Sequence, residues 1–189
     1  RTKAFGEINY LNSRDKVHRI RLNPLPEVHE KLSKLPHPLI VLKPIVESQN
    51  VLSLLEYFDN SKAVWLFRHY EDVAKSNINK WGDENGYKNI QYVLSQDQNN
   101  WRAQNISDFA LEVIKEKVQK KRTPHDYAAL FWWLRNRIYI EKQLATNNDV
   151  FTCQYESLVK DPLQTMRAIY EFMGIKMTST KIVSHIHAH

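Results

Sequence analysis

Two side chains that could hold one phosphate group together lie eight residues apart in the sequence, at Arg68 and Ser76. Arg68 directly follows an unbroken apolar run at 63–67, which is typical of a strand buried in a parallel sheet. The arginine should therefore emerge at the carboxyl edge of the sheet, where open α/β sheets bind ligands. The residues that follow have helical periodicity, with Ser76 about two turns into the helix. An arginine binds phosphate by paired charge-assisted hydrogen bonds, and a serine by donating its hydroxyl.

The spacing of this pair resembles a segment of a known family. A strand that ends in arginine, a serine eight residues later and Trp81-Gly82 after the helix resemble the segment that holds the 3′-phosphate of the sulfate donor 3′-phosphoadenosine 5′-phosphosulfate (PAPS) in sulfotransferases. The resemblance implies that Arg68 and Ser76 bind this phosphate. The residues alone leave an alternative open, in which Arg68 pairs with Glu71 or Asp72.

A second match lies near the end of the chain, where residues 150–162 read VFTCQYESLVKDP. This stretch, with the following helix that ends in Phe172-Met173-Gly174, is similar to the strand, Tyr-Glu-x-Leu, x-x-Pro and helix-Phe-x-Gly block of sulfotransferases. In that family the tyrosine contacts the adenine of the donor, so the resemblance implies this role for Tyr155. The alternative is a core tyrosine that caps the end of the strand.

A third match concerns the reacting groups. Gly6-Glu7 and the lysine of Lys43-Pro44 resemble tyrosylprotein sulfotransferases and related bacterial enzymes, which implies that Glu7 is the catalytic base and Lys43 an electrostatic helper near the sulfuryl group. A carboxylate can take the proton from an attacking hydroxyl, and an ammonium can neutralise charge on the transferred group. His37 and His69 are rival bases, because histidine serves in other branches of the family.

The given residues depart from the family pattern in several places. The resemblance implies a Ser/Gly/Thr-rich phosphosulfate-binding loop before Gly6, which we expect upstream of Arg1, and a C-terminal Arg-Lys-Gly-type loop that is also missing. The chain has only 4 glycines, too few for another glycine-rich phosphate loop. Tyr70 and Glu71 stand where the family commonly has a proline and a basic residue. A non-catalytic relative that binds a nucleotide is therefore the alternative to an enzyme.

The elements that must position these residues read as an α/β fold. We predict buried strands at 39–42, 63–67 and 150–153, and a helix at 47–58 that links the first two into a parallel βαβ unit. Lys43 would then lie at the same sheet edge as Arg68. The resemblance implies a three-layer parallel sheet flanked by helices, with the P-loop NTPase-like sulfotransferase fold, in a single domain over 1–189.

The remaining helices are predicted from their caps and apolar spacing. Pro26 to Leu35 has one apolar face, and Ser107 caps a helix that runs to Gln119. Thr123-Pro124 begins the longest helix, which continues to about Ala145, while Gly174 ends the last one.

Composition narrows the function classes. The formal charge of +6 suits a polyanionic ligand, and a nucleic-acid binder is a further alternative that we do not favour. Cys153 is the one cysteine, which excludes an intrachain disulfide, and no apolar run is long enough to span a bilayer. These features favour a cytoplasmic protein. Alternating histidines at 185, 187 and 189 read as a frayed terminus, so no metal is assigned.

The sequence thus predicts a sulfotransferase that moves a sulfuryl group from PAPS to a hydroxyl or amine by in-line displacement. Its donor would be held by Arg68, Ser76 and Tyr155, with Glu7 and Lys43 at the reacting group. The expected partners are PAPS, its product PAP and a small-molecule, carbohydrate or peptide acceptor, whose identity and the oligomeric state the residues leave open.

Overall fold

A computed structural model describes residues 21–44, 46–184 and 186. The contacts between residues divide the chain into two compact units, 1–61 and 62–189, and each is described by itself. In the described ranges, no helix is long and apolar enough to cross a membrane. The organisation of 1–189 as one domain stays a prediction.

The described part of the first unit contains two helices, α1 (Leu25–Ser33) and α2 (Val51–Tyr57), with a 3-10 turn just before α2. Val28 of α1 is fully buried. The carboxylate of Glu47 is also buried, and it accepts hydrogen bonds from the Leu22 backbone N–H at 3.1 Å and the Asn50 side-chain amide at 2.8 Å. Helices near 26–35 and 47–58 were expected, and both are confirmed with small shifts of their ends.

The predicted strand at 39–42 is wrong, because the backbone there forms no strand ladder with any described residue. Val41 is 76% exposed, so the apolar run does not mark a buried strand. Pro38 and Pro44 flank the run, and neither can donate to a sheet ladder. The βαβ unit built on this strand is therefore wrong as well, and Lys43 does not follow a strand.

In the described residues of the second unit, four helices lie between two short strands and two more helices follow the second strand. In chain order its elements are β1 (Ala63–Phe67), α3 (Tyr70–Trp81), α4 (Glu84–Leu94), α5 (Asp108–Val118), α6 (Pro124–Glu141), β2 (Val150–Gln154), α7 (Tyr155–Lys160) and α8 (Pro162–Phe172). Short 3-10 turns lie before β2 and after α8.

The two strands pair in parallel, from Ala63 opposite Val150 to Phe67 opposite Gln154. Four helices, α3 to α6, form the crossover between them. The described sheet therefore has two strands, and the three-layer, P-loop-like arrangement stays a prediction. Cys153 is buried, as expected, and burial raises the pKa of its thiol.

The predicted burial of β1 is wrong, because Val64 and Leu66 are 42% and 52% exposed. Only the alternate residues Trp65 and Phe67 pack against Tyr139 of α6, so among the described residues one face of β1 is covered and the other is not.

The hydrophobic core of this unit lies among α4, α5 and α6. Its buried members are Ile90, Val93, Ala110, Leu111, Ile114 and Leu134. A Cβ atom on Gly86 would stand 2.7 Å from the backbone nitrogen of Ala128, so only glycine allows α4 to approach α6 this closely.

The predicted caps of α5, α6 and α8 are confirmed. The Ser107 hydroxyl accepts a hydrogen bond from the Ala110 N–H, and Thr123 forms a reciprocal capping box with Asp126. The helix α6 ends at Glu141 rather than at 145. Gly174 has φ of +70° just after α8, a backbone conformation that favours glycine.

Candidate active site

The register of the sheet brings two predicted site residues to one edge. Phe67 pairs with Gln154 as the last pair of the ladder, and Arg68 and Tyr155 directly follow the ends of the two strands. Because the strands are parallel, both side chains start from the carboxyl edge of the sheet.

Arg68 and Tyr155 are in direct contact across this edge. The guanidinium carbon of Arg68 lies 4.7 Å from the centroid of the Tyr155 ring, within cation–π range. The side chain of Arg68 is 30% exposed to solvent. The tyrosine ring therefore supports one face of the guanidinium and leaves its edge available for hydrogen bonds to a ligand.

The polar contacts of Arg68 are incomplete. Its Nε atom is buried and has no hydrogen-bond partner among the described residues. The Oδ2 atom of Asp72 lies 3.7 Å from this Nε, which is an ion pair but too long for a hydrogen bond. A buried donor without an acceptor is uncommon, and a ligand oxygen would satisfy it. The alternative pairing of Arg68 with Asp72 is thus present, but only weakly.

Ser76 is an exposed residue in the second turn of α3. It stands four residues after Asp72, so the two side chains share one stripe of the helix about one turn apart. No contact joins Ser76 to Arg68 or Tyr155 within the residues that the structure describes. A ligand that reaches Ser76 from Arg68 would pass over Asp72.

Glu156 connects the ends of the two strands, a role that the sequence did not indicate. Its Oε1 atom accepts a hydrogen bond of 2.8 Å from the backbone N–H of His69. This hydrogen bond lowers the pKa of the Glu156 carboxyl, with smaller contributions from its own N–H and from the charges of His69 and Arg68. The bond fixes the turn after Arg68 relative to the start of α7. Only the Tyr-Glu pair of the family pattern pointed to this residue.

The rival base His69 lies at the same edge. Its side chain is 55% exposed, and its Nδ1 atom is 3.9 Å from the Oε2 atom of Glu71. Its ring also lies 4.8 Å from the ring of Tyr70, centroid to centroid. The imidazole is therefore accessible from solvent, next to the arginine.

The other predicted site residues belong to the first unit or lie outside the described residues. Glu7 falls outside them, so its role stays a prediction. Lys43 and His37 are exposed residues of the first unit, in segments without helix or strand. Arg68 belongs to the second unit, so the roles of Lys43 and His37 near the donor stay predictions.

No group of three or more metal-ligating side chains occurs in the part of the chain that the structure describes. The histidines at 185, 187 and 189, which were predicted to form a frayed terminus without a metal, lie outside the described residues.

Comparison with known proteins gives one result. A family model with the description "Sulfotransferase family" matches residues 28–179, which is well over half of the chain and contains Lys43, Arg68, Ser76 and Tyr155. Searches of curated proteins and of solved structures give no significant match.

Proposed function

The chain belongs to the sulfotransferase family, and from this premise we propose that it moves a sulfuryl group from PAPS to a hydroxyl or amine acceptor. Family membership supports sulfotransfer in general. The donor and the residue roles are the proposal.

The contact between Arg68 and Tyr155 at the sheet edge is the observation that carries the donor assignment. PAPS presents a charged 3′-phosphate and a flat adenine on one nucleoside. The buried Nε of Arg68, which has no hydrogen-bond partner among the described residues, suits a phosphate oxygen. The Tyr155 ring offers a face or edge for the base. The residues present therefore fit the donor.

Two further residues of α3 would adapt to the bound phosphate. Ser76, one helical turn beyond Asp72, would donate its hydroxyl to the same phosphate. In the structure, the Asp72 carboxylate lies 3.7 Å from the Arg68 Nε, and its side chain is 54% exposed. When the phosphate binds, this carboxylate would turn away from Arg68 into solvent. Loss of an exposed ion pair costs little, about 0–1 kcal/mol.

PAPS supplies a sulfuryl group on a good leaving phosphate, and the chain supplies position and charge. The acceptor oxygen or nitrogen forms a bond to sulfur, the bond from sulfur to the bridging oxygen breaks, and PAP departs with that oxygen. The acceptor proton passes to a base. We assign Glu7 as this base, with His69 and His37 as rivals, and Lys43 as the cation that offsets charge on the sulfuryl group.

Calorimetric titration with PAP tests the donor site without requiring turnover. We expect Arg68→Ala to weaken PAP binding by more than about tenfold, because a desolvated charge-assisted contact is lost. The matched control is Arg167→Ala, which removes an exposed arginine of α8 and should leave PAP affinity unchanged. Equal effects of the two substitutions, or no PAP binding at all, would contradict the assignment.

Sulfate transfer from radiolabelled PAPS separates an enzyme from a non-catalytic binder. Glu7→Gln should abolish transfer while PAP still binds. If His69→Gln abolishes transfer and Glu7→Gln does not, the base is His69. PAP binding without transfer to any acceptor would favour the non-catalytic alternative. Nucleic-acid affinity with a steep salt dependence and no PAP binding would favour a nucleic-acid-binding protein, the further alternative that the charge allows.

A further inference from the structure

A groove in the second unit adjoins the strand edge. Tyr70, the first residue of α3 and two positions after Arg68, forms part of its wall. The rest of the lining comes from α6, from the end of α5 and from the segment that joins them. The cavity volume is about 360 Å³, which lies in the size range of small-molecule sites.

Aromatic and aliphatic side chains make up most of the groove. Tyr70, Leu130, Trp132 and Trp133 line it. The rings of Tyr70 and Trp132 are 6.1 Å apart between centroids and tilted by 52°, and Tyr70 is 43% exposed. Half-exposed rings at an angle to one another suit a flat ring compound, which can contact one ring by its face and the other by its edge.

The charged side chains of the groove are Lys117, Arg122 and Asp126, with a net charge of two minus one, or +1. Asp126 is committed to the start of α6, since its Oδ2 atom accepts hydrogen bonds from the backbone N–H and the hydroxyl of Thr123, each at 2.9 Å. These bonds lower the pKa of the Asp126 carboxyl, which therefore remains an anion.

Arg122 is the cation that is best placed to bind a ligand. Its Nε atom donates to the backbone carbonyl of Lys117 at 2.6 Å, which holds the guanidinium at the end of α5. Its two terminal nitrogens have no hydrogen-bond partner in the described ranges. Lys117 itself makes an exposed ion pair with Glu116 at 2.8 Å, an interaction that contributes little. A planar fork of free donors matches a carboxylate or a similar anion.

The surrounding segment strengthens this preference. Residues 115–122 contain five cationic side chains and one acidic side chain. The resulting positive potential attracts anions to the cationic end of an otherwise apolar groove.

We propose that this groove binds the acceptor, and that the acceptor is a small hydroxylated aromatic compound with an anionic substituent. The aromatic ring would lie against Tyr70 and Trp132, and the anion would bind Arg122. A sugar chain would leave most of its hydroxyls unpaired against these apolar walls, which is costly. The inference rests on the proposed function, because Tyr70 connects the groove to the Arg68 edge.

The chemistry of the step is that of the proposed reaction. The ring hydroxyl oxygen forms the new bond to sulfur, PAP leaves with the bridging oxygen, and the hydroxyl proton passes to the base. The anionic substituent takes no part in bond making, so it acts only through binding.

Isothermal titration with two matched probes tests the proposal. The probes are 4-hydroxyphenylacetate and the neutral 4-hydroxyphenylacetamide, titrated into the full chain with and without PAP. We expect the wild-type protein to bind the anion about tenfold more tightly than the amide, because only the anion forms the charge-assisted bond to Arg122.

Two variants and a control locate this preference. Arg122→Gln should lower affinity for the anion about tenfold and leave the amide unchanged. Lys121→Gln removes an equal charge from the same basic segment but outside the lining, so it should lower affinity for the anion by about twofold or less. Trp132→Leu should weaken both probes to a similar extent, by about fivefold, because it removes an aromatic contact that both share. Circular dichroism confirms that each variant is folded.

Equal affinity for the two probes would overturn the proposal, as would equal losses in Arg122→Gln and Lys121→Gln. Failure of both probes to bind, or Arg122-dependent binding of only an acidic peptide or a glycan, would also overturn it. The donor site is judged separately, by PAP binding and its loss in Arg68→Ala. If PAP binds normally but the two probes bind equally well, the groove is not the acceptor site, while the proposed donor site is unaffected.

Discussion

Among the arginines of the second unit that stack on aromatic rings, Arg102 and Arg68 differ in what their Nε donors bind. Arg102 lies 4.6 Å from the ring of the buried Trp101, and its Nε atom donates to the buried Asn89 side chain at 2.5 Å. Arg68 lies 4.7 Å from the ring of Tyr155, but its Nε atom has no hydrogen-bond partner among the described residues.

The difference separates an arginine that stabilises the fold from one that can bind a ligand. The Trp101 ring contacts a second guanidinium, that of Arg135, at 5.2 Å, and the edge of Phe131 at 5.9 Å. That cluster joins the loop after α4 to α6. Arg102 therefore contributes to the fold, whereas the Nε atom of Arg68 has a donor without a hydrogen-bond acceptor among the described residues, as the proposed phosphate site requires.

The largest expected effect is on stability, at the Trp101 cluster. Trp101→Ala should lower the free energy of unfolding by about 3–5 kcal/mol, because it removes a buried aromatic ring and leaves a cavity. Trp81→Ala is the matched control, since Trp81 is 61% exposed and should change stability by about 0.5 kcal/mol or less. Urea unfolding measures both. A loss at Trp101 no larger than at Trp81 would mean that the cluster does not stabilise the fold.

The second prediction contrasts the two arginines directly. Arg102→Ala should cost about 1–3 kcal/mol of stability, because the Asn89 oxygen loses its charged donor in a buried site. Its effect on PAP affinity should be small. Arg68→Ala should show the reverse, with PAP affinity reduced more than about tenfold and an unfolding midpoint near that of the wild type. Equal losses of stability in the two variants would contradict the assignment of Arg102 to the fold and of Arg68 to ligand binding.

The third prediction concerns Glu156, which supports the turn that follows Arg68, the proposed phosphate-binding residue. Glu156→Ala removes the acceptor for the His69 N–H, so the turn after Arg68 should loosen and PAP affinity should fall about threefold to tenfold. Glu156→Gln retains a neutral acceptor oxygen and should lose less. A purely electrostatic role would instead make the two variants equal. Titration with PAP at two salt concentrations distinguishes these outcomes.

The smallest expected effect is a pH dependence of the same contact. The folded-state pKa of Glu156 is lowered, first by the His69 N–H. Its contribution is therefore fully present above the unfolded pKa, which is about 4.3 for glutamate, and is lost as pH falls through the folded value. The wild type should lose more stability than Glu156→Gln on acidification from pH 6 to the onset of acid unfolding. Circular dichroism follows the acid unfolding of both proteins. Parallel unfolding curves for the wild type and Glu156→Gln would show that the ionised Glu156 carboxylate does not stabilise the fold.

The sequence predicted the parts of the site that depend on strand ends. The apolar runs before Arg68 and Tyr155 indicated two buried parallel strands. Their parallel pairing is confirmed, but the burial of β1 is not, since Val64 and Leu66 are exposed. The same reasoning failed at 39–42, because an apolar run between prolines has the composition of a strand without the partner that makes one. Helix starts were easier, since the caps at Ser107 and Thr123 act within three residues.

Features that depend on tertiary contacts had no sequence signal. The bond from the His69 N–H to Glu156 joins residues 87 positions apart, and no local pattern marks a carboxylate as the acceptor of a distant backbone donor. The groove beside Tyr70 also assembles from three helices. The roles of Arg68, Ser76 and Tyr155 in binding remain predictions that the PAP titration tests.

Because four helices lie between β1 and β2, Arg68 and Tyr155, the two parts of the proposed donor site, are far apart in the sequence. Contacts between residues so distant in sequence form slowly, and no shorter piece of the chain could contain both. A nucleotide that bridges them would hold the whole crossover closed and raise the melting temperature of the entire unit. Bound donor product should consequently protect the helices α3 to α6 from proteolysis, although most of their residues are far from it.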